Sequence, residues 1–210
     1  EQPAGVFNVL TGRAAEVVGA MTASRLVRVV SFTGSTEIGR LLYAQSAPTV
    51  KRLVMELGGH APFIAFADCD FERALARGAR LVSGGEPHPA GENFFAPTVL
   101  ADVDDDALIF REETFGPVAG FAPFDAEDEV LARANATETG LVAYLHTGDT
   151  GRAARLARAL EFGMVAVNRT RITGAPVPFG GVKQAGLGRE GSRHGMEAYA
   201  EIKYICRETD

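Results

Sequence analysis
Cysteine is nearly absent from this sequence: Cys69 and Cys206 are the only two in 210 residues, and no metal-type pair spacing exists. A disulfide framework is therefore not expected, and the compartment reads as reducing cytosol, so the expected location is cytoplasmic. Tryptophan is missing altogether and the four histidines are scattered, which removes an aromatic nucleic-acid platform and a histidine metal cluster. There is no excess of positive charge. The net charge of -6 argues against nucleic-acid and anionic-membrane partners. No apolar run is long enough to span a bilayer, and no signal-peptide pattern is visible. What is present is ordinary for a soluble globular chain, with 46% apolar and 23% charged residues. Its length suffices for one large domain or two small ones with a sizeable core.

The chain is organised around VVSFTGSTEIGRLLYAQSAPTVKRLVMELGG, residues 29–59. Val27, Val29, Val30 and Phe32 read as a strand entering a Gly-Ser turn. A helix follows, with Ile38, Leu41 and Leu42 as its buried face and Glu37 in its first turn, stopped by Pro48. Residues 50–56 then read as a second strand ending at a carboxylate beside Gly58 and Gly59. Two readings of the turn stand: a phosphate site at a helix N-terminus, or an ordinary βαβ crossover whose glycines only make turns. Before it, Ala14, Val17, Val18 and Met21 predict a short helix. After it come a strand over 62–66, a short helix near 71–78 and a strand over 80–83. Further strands are expected over 94–100 and 118–124, with an acidic turn over 102–106 between them. Asp125 is expected to cap a helix, and residues 141–145 to form a strand. A helix carrying Leu156 and Leu160 closes at Gly163. Residues 164–167 form a strand, a glycine-rich run follows Pro178, and a β-like segment spans 201–206. Strand and helix alternate throughout, so the class is α/β.

Four segments, in this order, resemble the aldehyde dehydrogenase family. They are FTGSTEIG (Phe32–Gly39), MELGG (Met55–Gly59), EETFGP (Glu112–Pro117) and PFGGVKQAGLGRE (Pro178–Glu190). Within it, SAPTVKRL before ELGG and GREGSRHGMEAYAEIKYIC near the end are most similar to the succinate-semialdehyde dehydrogenase branch. The resemblance implies a partial Rossmann-like nucleotide-binding unit over 1–74 and an α/β catalytic domain over 75–196. Residues 197–210 would be an oligomerisation strand. It also implies NAD or NADP as cofactor, a small aldehyde as substrate and a homo-oligomer through the C-terminal strand.

By the same resemblance, a cysteine thiolate attacks the aldehyde, hydride passes to the nicotinamide, and Glu56 activates the water that hydrolyses the thioester. Gly34 and Ser35 match the turn that meets the pyrophosphate. Glu113 matches an acceptor for a ribose hydroxyl, and Phe115 the aromatic beside the nicotinamide. Phe179 matches a residue lining the substrate tunnel. Thr173 stands where the branch offers a hydroxyl near the substrate carboxylate. For Phe115 simple core packing, and for Phe179 a packed turn, are the alternative uses.

The departures bear on activity. The family's cysteine segment, expected downstream of ELGG, is absent, and the join falls near Ala74–Leu75. The family's N-terminal portion is absent as well. Asp68 and Asp70 flank Cys69 and disfavour a thiolate there. Cys206 lies in the expected C-terminal strand. The chain by itself is therefore expected to be inactive. The other expectation is a non-catalytic nucleotide-binding or oligomerisation remnant.

Overall fold
The structure is a computed structural model that describes residues 3–66, 84, 86–91, 93–103, 105 and 107–208. The short helix near 71–78, the strand over 80–83, Cys69 and the Ala74–Leu75 join lie outside the described residues. The first layer is built from α1 (Ala14–Ala23), β1 (Val29–Thr33), α2 (Thr36–Ser46) and β2 (Arg52–Glu56). Strands β1 and β2 run parallel, Val29 opposite Arg52 and Thr33 opposite Glu56, so both end at the same level. Such ends are where α/β proteins place their ligands. Val30, Val54 and Met55 are buried between the layers.

Strand β3 (Phe63–Ala65) leaves this sheet and pairs in parallel with β7 (Val142–His146), which pairs in parallel with β8 (Met164–Val167). Helices α3 (Glu127–Asn135) and α4 (Thr150–Ala159) cover this second sheet. Between them lies the main core, Ile64, Val130, Ala143, Leu145, Leu156, Leu160 and Phe162. Two smaller pairs complete the frame, β4 (Thr98–Leu100) parallel to β5 (Val118–Gly120), and β6 (Thr139–Gly140) antiparallel to β9 (Val182–Lys183). Strand β10 (Gly186–Leu187) then returns to β2 in antiparallel register, with Gly186 opposite Glu56. The last helix, α5 (His194–Glu197), is a single turn. The α/β class is thus observed.

Several local expectations change. On α2 the residues turned inward are Gly39, Leu42 and Ser46, whereas Ile38 and Leu41 are 42% and 50% exposed. The Leu57 side chain fills the space at Gly39, so the buried stripe is rotated from the one the aliphatic residues suggest. The strands expected over 94–100 and 118–124 shorten to three residues each, where the β4–β5 ladder has partners. Asp125 does not cap α3. Instead the Glu129 carboxylate accepts from the N–H groups of Asp125 and Ala126 at 3.0 and 3.4 Å. Helix α4 ends at Ala159 rather than near Gly163, because the chain turns extended at Leu160, whose side chain enters the core.

The segment over 201–206 forms no strand. It has no ladder partner in the described chain, and an extended segment without one gains no backbone pairing. Arg52 anchors its start, donating to Ala198 and Ala200 carbonyls at 3.3 and 2.5 Å and to the Glu201 carboxylate at 2.7 Å. Beyond that anchor Ile202, Tyr204 and Ile205 are exposed.

Candidate active site
Two elements close the site from below. Gly34 N–H donates to the Glu56 carbonyl at 3.0 Å, joining the turn after β1 to the last residue of β2. Ser35 is the N-cap of α2, and its hydroxyl accepts from Ile38 N–H at 3.4 Å. The first N–H groups of an α-helix have no intrahelical partner, so the Gly34–Ser35 turn presents donors and the positive end of a helix dipole.

The return loop closes the site from the side. Leu57 N–H donates to the Ala185 carbonyl at 2.9 Å, next to the Gly186–Glu56 pairing. Phe179 and Glu190 exchange both backbone hydrogen bonds, at 2.9 and 2.7 Å, closing the PFGG…GRE run into a ring beside β2. Glu113 approaches from the loop before β5, and its Oε1 accepts from Gly59 N–H at 3.3 Å.

Glu56 is partly buried, and its Oε1 is shielded from solvent with no hydrogen-bond partner. Burial comes first, then the charges of Glu190 and Glu113, and together they raise its carboxyl pKa above the ordinary value. A partly desolvated carboxylate with a raised pKa and an unused oxygen can accept a proton from water near neutral pH. His60 follows the motif and stays tied to β6, its Nδ1 3.4 Å from Thr139 Oγ1.

Of the residues expected in the site, Gly34, Ser35, Glu56 and Glu113 meet here. Phe115 is 98% exposed, so core packing does not account for it. Phe179 is partly buried and reaches the group through its bridge to Glu190. Thr173 is exposed in the loop between β8 and Pro178, outside this hydrogen-bonded group. Glu190, a second carboxylate near Glu56, was missed as a candidate although it closes the fourth motif. Cys206 is exposed in the C-terminal arm. Among the described residues no group of His, Cys, Asp or Glu is arranged to hold a metal, and no helix is long and apolar enough to cross a membrane.

The residues present fit a dinucleotide. Its pyrophosphate suits the N-terminus of α2 that follows the Gly34–Ser35 turn, a ribose suits the acceptor Glu113, and the exposed Phe115 ring is free to meet a flat heterocycle.

The sequence model of the aldehyde dehydrogenase family matches residues 1–77 and 71–205, two stretches that meet at 71–77. A 3-sulfolactaldehyde dehydrogenase of Pseudomonas putida is 41% identical over 278 positions, covering 97% of this chain and 57% of that protein. A succinate-semialdehyde dehydrogenase [NADP(+)] of Escherichia coli strain K12 is 39% identical, covering 97% and 58%. The crystal structure of succinate-semialdehyde dehydrogenase from Burkholderia pseudomallei superposes with a TM-score of 0.92 at 38% identity, covering 98% of this chain and 58% of that one. The chain thus spans a little over half the length of these relatives. Because the matched stretch runs over 278 positions against 210 residues here, the relatives carry an internal segment with no counterpart in this chain. On its motifs, its fold and these matches, the chain is a member of the aldehyde dehydrogenase family.

Proposed function
We propose that this chain carries the cofactor turn and the general base of an NAD- or NADP-dependent dehydrogenase that converts an aldehyde to its carboxylic acid. The observation that supports it most is the meeting of Gly34, Glu56 and Glu113 at the level ends of β1 and β2. Bound there, NAD or NADP supplies the hydride acceptor. The chain's own residues do the rest that the geometry supports. Gly34 and Ser35 hold the pyrophosphate, Glu113 accepts from a ribose hydroxyl, and Phe115 orients the nicotinamide. Glu56 takes the proton of a water attacking the acyl carbon.

The substrate we assign is an aldehyde with an acid group at its far end, succinate semialdehyde first. The relatives named above act on a sulfonated and a carboxylated aldehyde. Phe179 lines the path to the reacting carbon, and Thr173 faces the distal acid once the substrate is bound. The units are 1–74 for nucleotide, 75–196 for substrate and 197–210 for assembly, in a reducing cytoplasm.

The covalent step lies outside this chain. Its two cysteines are Cys69, between Asp68 and Asp70, and Cys206 in the arm, neither in the segment that the relatives carry. Loss of a nucleophile from a concerted site removes most of its catalysis. The test is calorimetric titration with NAD and NADP beside a turnover assay with succinate semialdehyde. The expected result is binding with negligible turnover. Turnover that a cysteine-to-serine change abolishes refutes the inactivity, and failure to bind either dinucleotide refutes the cofactor site.

A second reading, an assembly remnant, rests on the arm. Arg52 fixes its start while Ile202, Tyr204 and Ile205 stay exposed, a segment suited to pairing with the same arm or a sheet edge of another copy. A sizing experiment that shows only monomer removes it.

A further inference from the structure
Glu113 is engaged in this structure by the turn beside Glu56. Its Oε1 accepts from Gly59 N–H at 3.3 Å. Its Oε2 lies 2.5 Å from the point where a side chain on Gly58 would begin, and Thr36 Oγ1 lies 3.4 Å from that same point. The carboxylate therefore rests directly on the two residues that follow Glu56 and Leu57, and a side chain at 58 would displace it.

The other holds on this stretch are backbone bonds: Gly34 N–H to the Glu56 carbonyl, and Leu57 N–H to the Ala185 carbonyl. Glu113 supplies a hold that is an exposed side chain on a loop, which a ligand can take away.

We infer that Glu113 is a positioning residue for Glu56: its carboxylate pins the Gly58–Gly59 turn and sets a like charge beside Glu56, until a ligand hydroxyl draws Glu113 off. The charged groups facing Glu56 are both carboxylates, Glu113 from the loop before β5 and Glu190 from the end of the return loop. No positive group among the charges acting on Glu56 opposes them. The proton on Glu56 is thus favoured by burial and by two like charges, one of them on the residue that a ribose would engage.

When a vicinal diol donates to Glu113, its charge is spread into those hydrogen bonds and its contact with Gly59 is exchanged for them. Glu56 then ionises more readily. Because linkage is reciprocal, the same coupling makes ligand binding tighten as Glu56 ionises. This ligand-driven half rests on the proposed cofactor reading. The pin and the charge effect do not.

The test is a carbon-13 NMR titration of the glutamate carboxyls in the full chain, with the Glu56 signal identified through Glu56→Gln. Glu113→Gln keeps an oxygen for Gly59 N–H and removes the charge, whereas Glu113→Ala removes both. The expected result is a lower Glu56 midpoint in both variants. Faster hydrogen exchange at the Gly59 amide is expected in the alanine variant alone. An unchanged midpoint in Glu113→Gln overturns the charge effect, and an unchanged Gly59 amide in Glu113→Ala overturns the pin.

Repeating the titration with saturating NAD, with calorimetry in two buffers of different ionisation heat, tests the ligand half. At a pH near the Glu56 midpoint found in the apo titration, the parent should release protons on binding and Glu113→Gln should not. Equal release from both overturns the coupling. A chain that binds no NAD overturns the cofactor reading, and the apo titration still decides the positioning role.

Discussion
Gly186→Ala tests whether β10 truly closes on β2, because two separable costs meet at that residue. Gly186 has φ of +155°, and a Cβ there would lie inside the van der Waals shell of the Met55 carbonyl oxygen. Glycine-only backbone conformations cost other residues roughly 1–3 kcal/mol. Overpacking against a backbone atom that cannot rotate away costs roughly 1–3 kcal/mol more. A total near 4 kcal/mol is expected, which lowers the melting temperature by roughly 8–16 °C for a chain of this size. Gly91→Ala is the control. Its φ is +138°, yet its Cβ would meet only Phe94 Cδ2 at 3.8 Å, so it bears the conformational cost without the clash. Thermal melting followed by circular dichroism reads both. If Gly186→Ala melts within a degree or two of Gly91→Ala, β10 does not press on β2, and the closure of the site beside Glu56 is wrong.

Three further outcomes follow from burial and charge. Glu56 has its pKa raised above 4.5, so the folded chain keeps a proton that the unfolded chain releases, and stability falls as pH rises from that ordinary value through the raised one. Glu56→Gln removes that slope and should gain on the parent as pH rises above 4.5 in urea melts; parallel curves contradict it. Asp149 has its pKa lowered, first by the Arg152 N–H, so its contribution is complete above its ordinary value and is lost as pH falls through the lower folded one. Asp149→Asn should therefore show a shallower acid loss than the parent, read from the same melts. Leu145→Ala empties a fully buried position and should cost roughly 2–5 kcal/mol in a urea titration, whereas the fully exposed Ile202→Ala should stay within about 0.5 kcal/mol.

What the sequence makes legible is what the chain does locally. Gly34 and Ser35 close a strand-to-helix turn by their own chemistry, and Glu56 sits two residues before a glycine pair, so each could be placed from its neighbours. Glu190 could not. It stands near Glu56 only because Phe179 and Glu190 bridge and β10 folds back on β2, pairings between residues far apart in the chain with no periodicity to announce them. The α2 face fails for a related reason. Leu57 projects onto Gly39 and draws that small residue inward, turning Ile38 and Leu41 out against their hydrophobicity. The cap of α3 is taken by a different acid from the one the residue type suggests. Asp125 is the better cap by type, but the helix starts one residue later, and Glu129 reaches back across one turn to the N–H groups of Asp125 and Ala126. In residues 201–206 the β-like composition is present and the ladder partner is not, and composition alone does not make a strand.

The same geometry accommodates the proposed cofactor and base site in a chain without the internal segment that its relatives carry. Every hold on the site comes from residues on either side of the join near residue 74. Gly34 binds Glu56, Ala185 binds Leu57, Glu113 binds Gly59, and β3 lies on β7. The internal stretch that the relatives carry is the donor or acceptor of none of these bonds, so the turn is fastened without it. Cys206 is exposed in the C-terminal arm. The arm is tethered by Arg52 at the entry of β2, whereas Glu56 is the last residue of that strand, four residues further and so about 13 Å along it. The anchored start of the arm and the proposed general base therefore stand at opposite ends of β2.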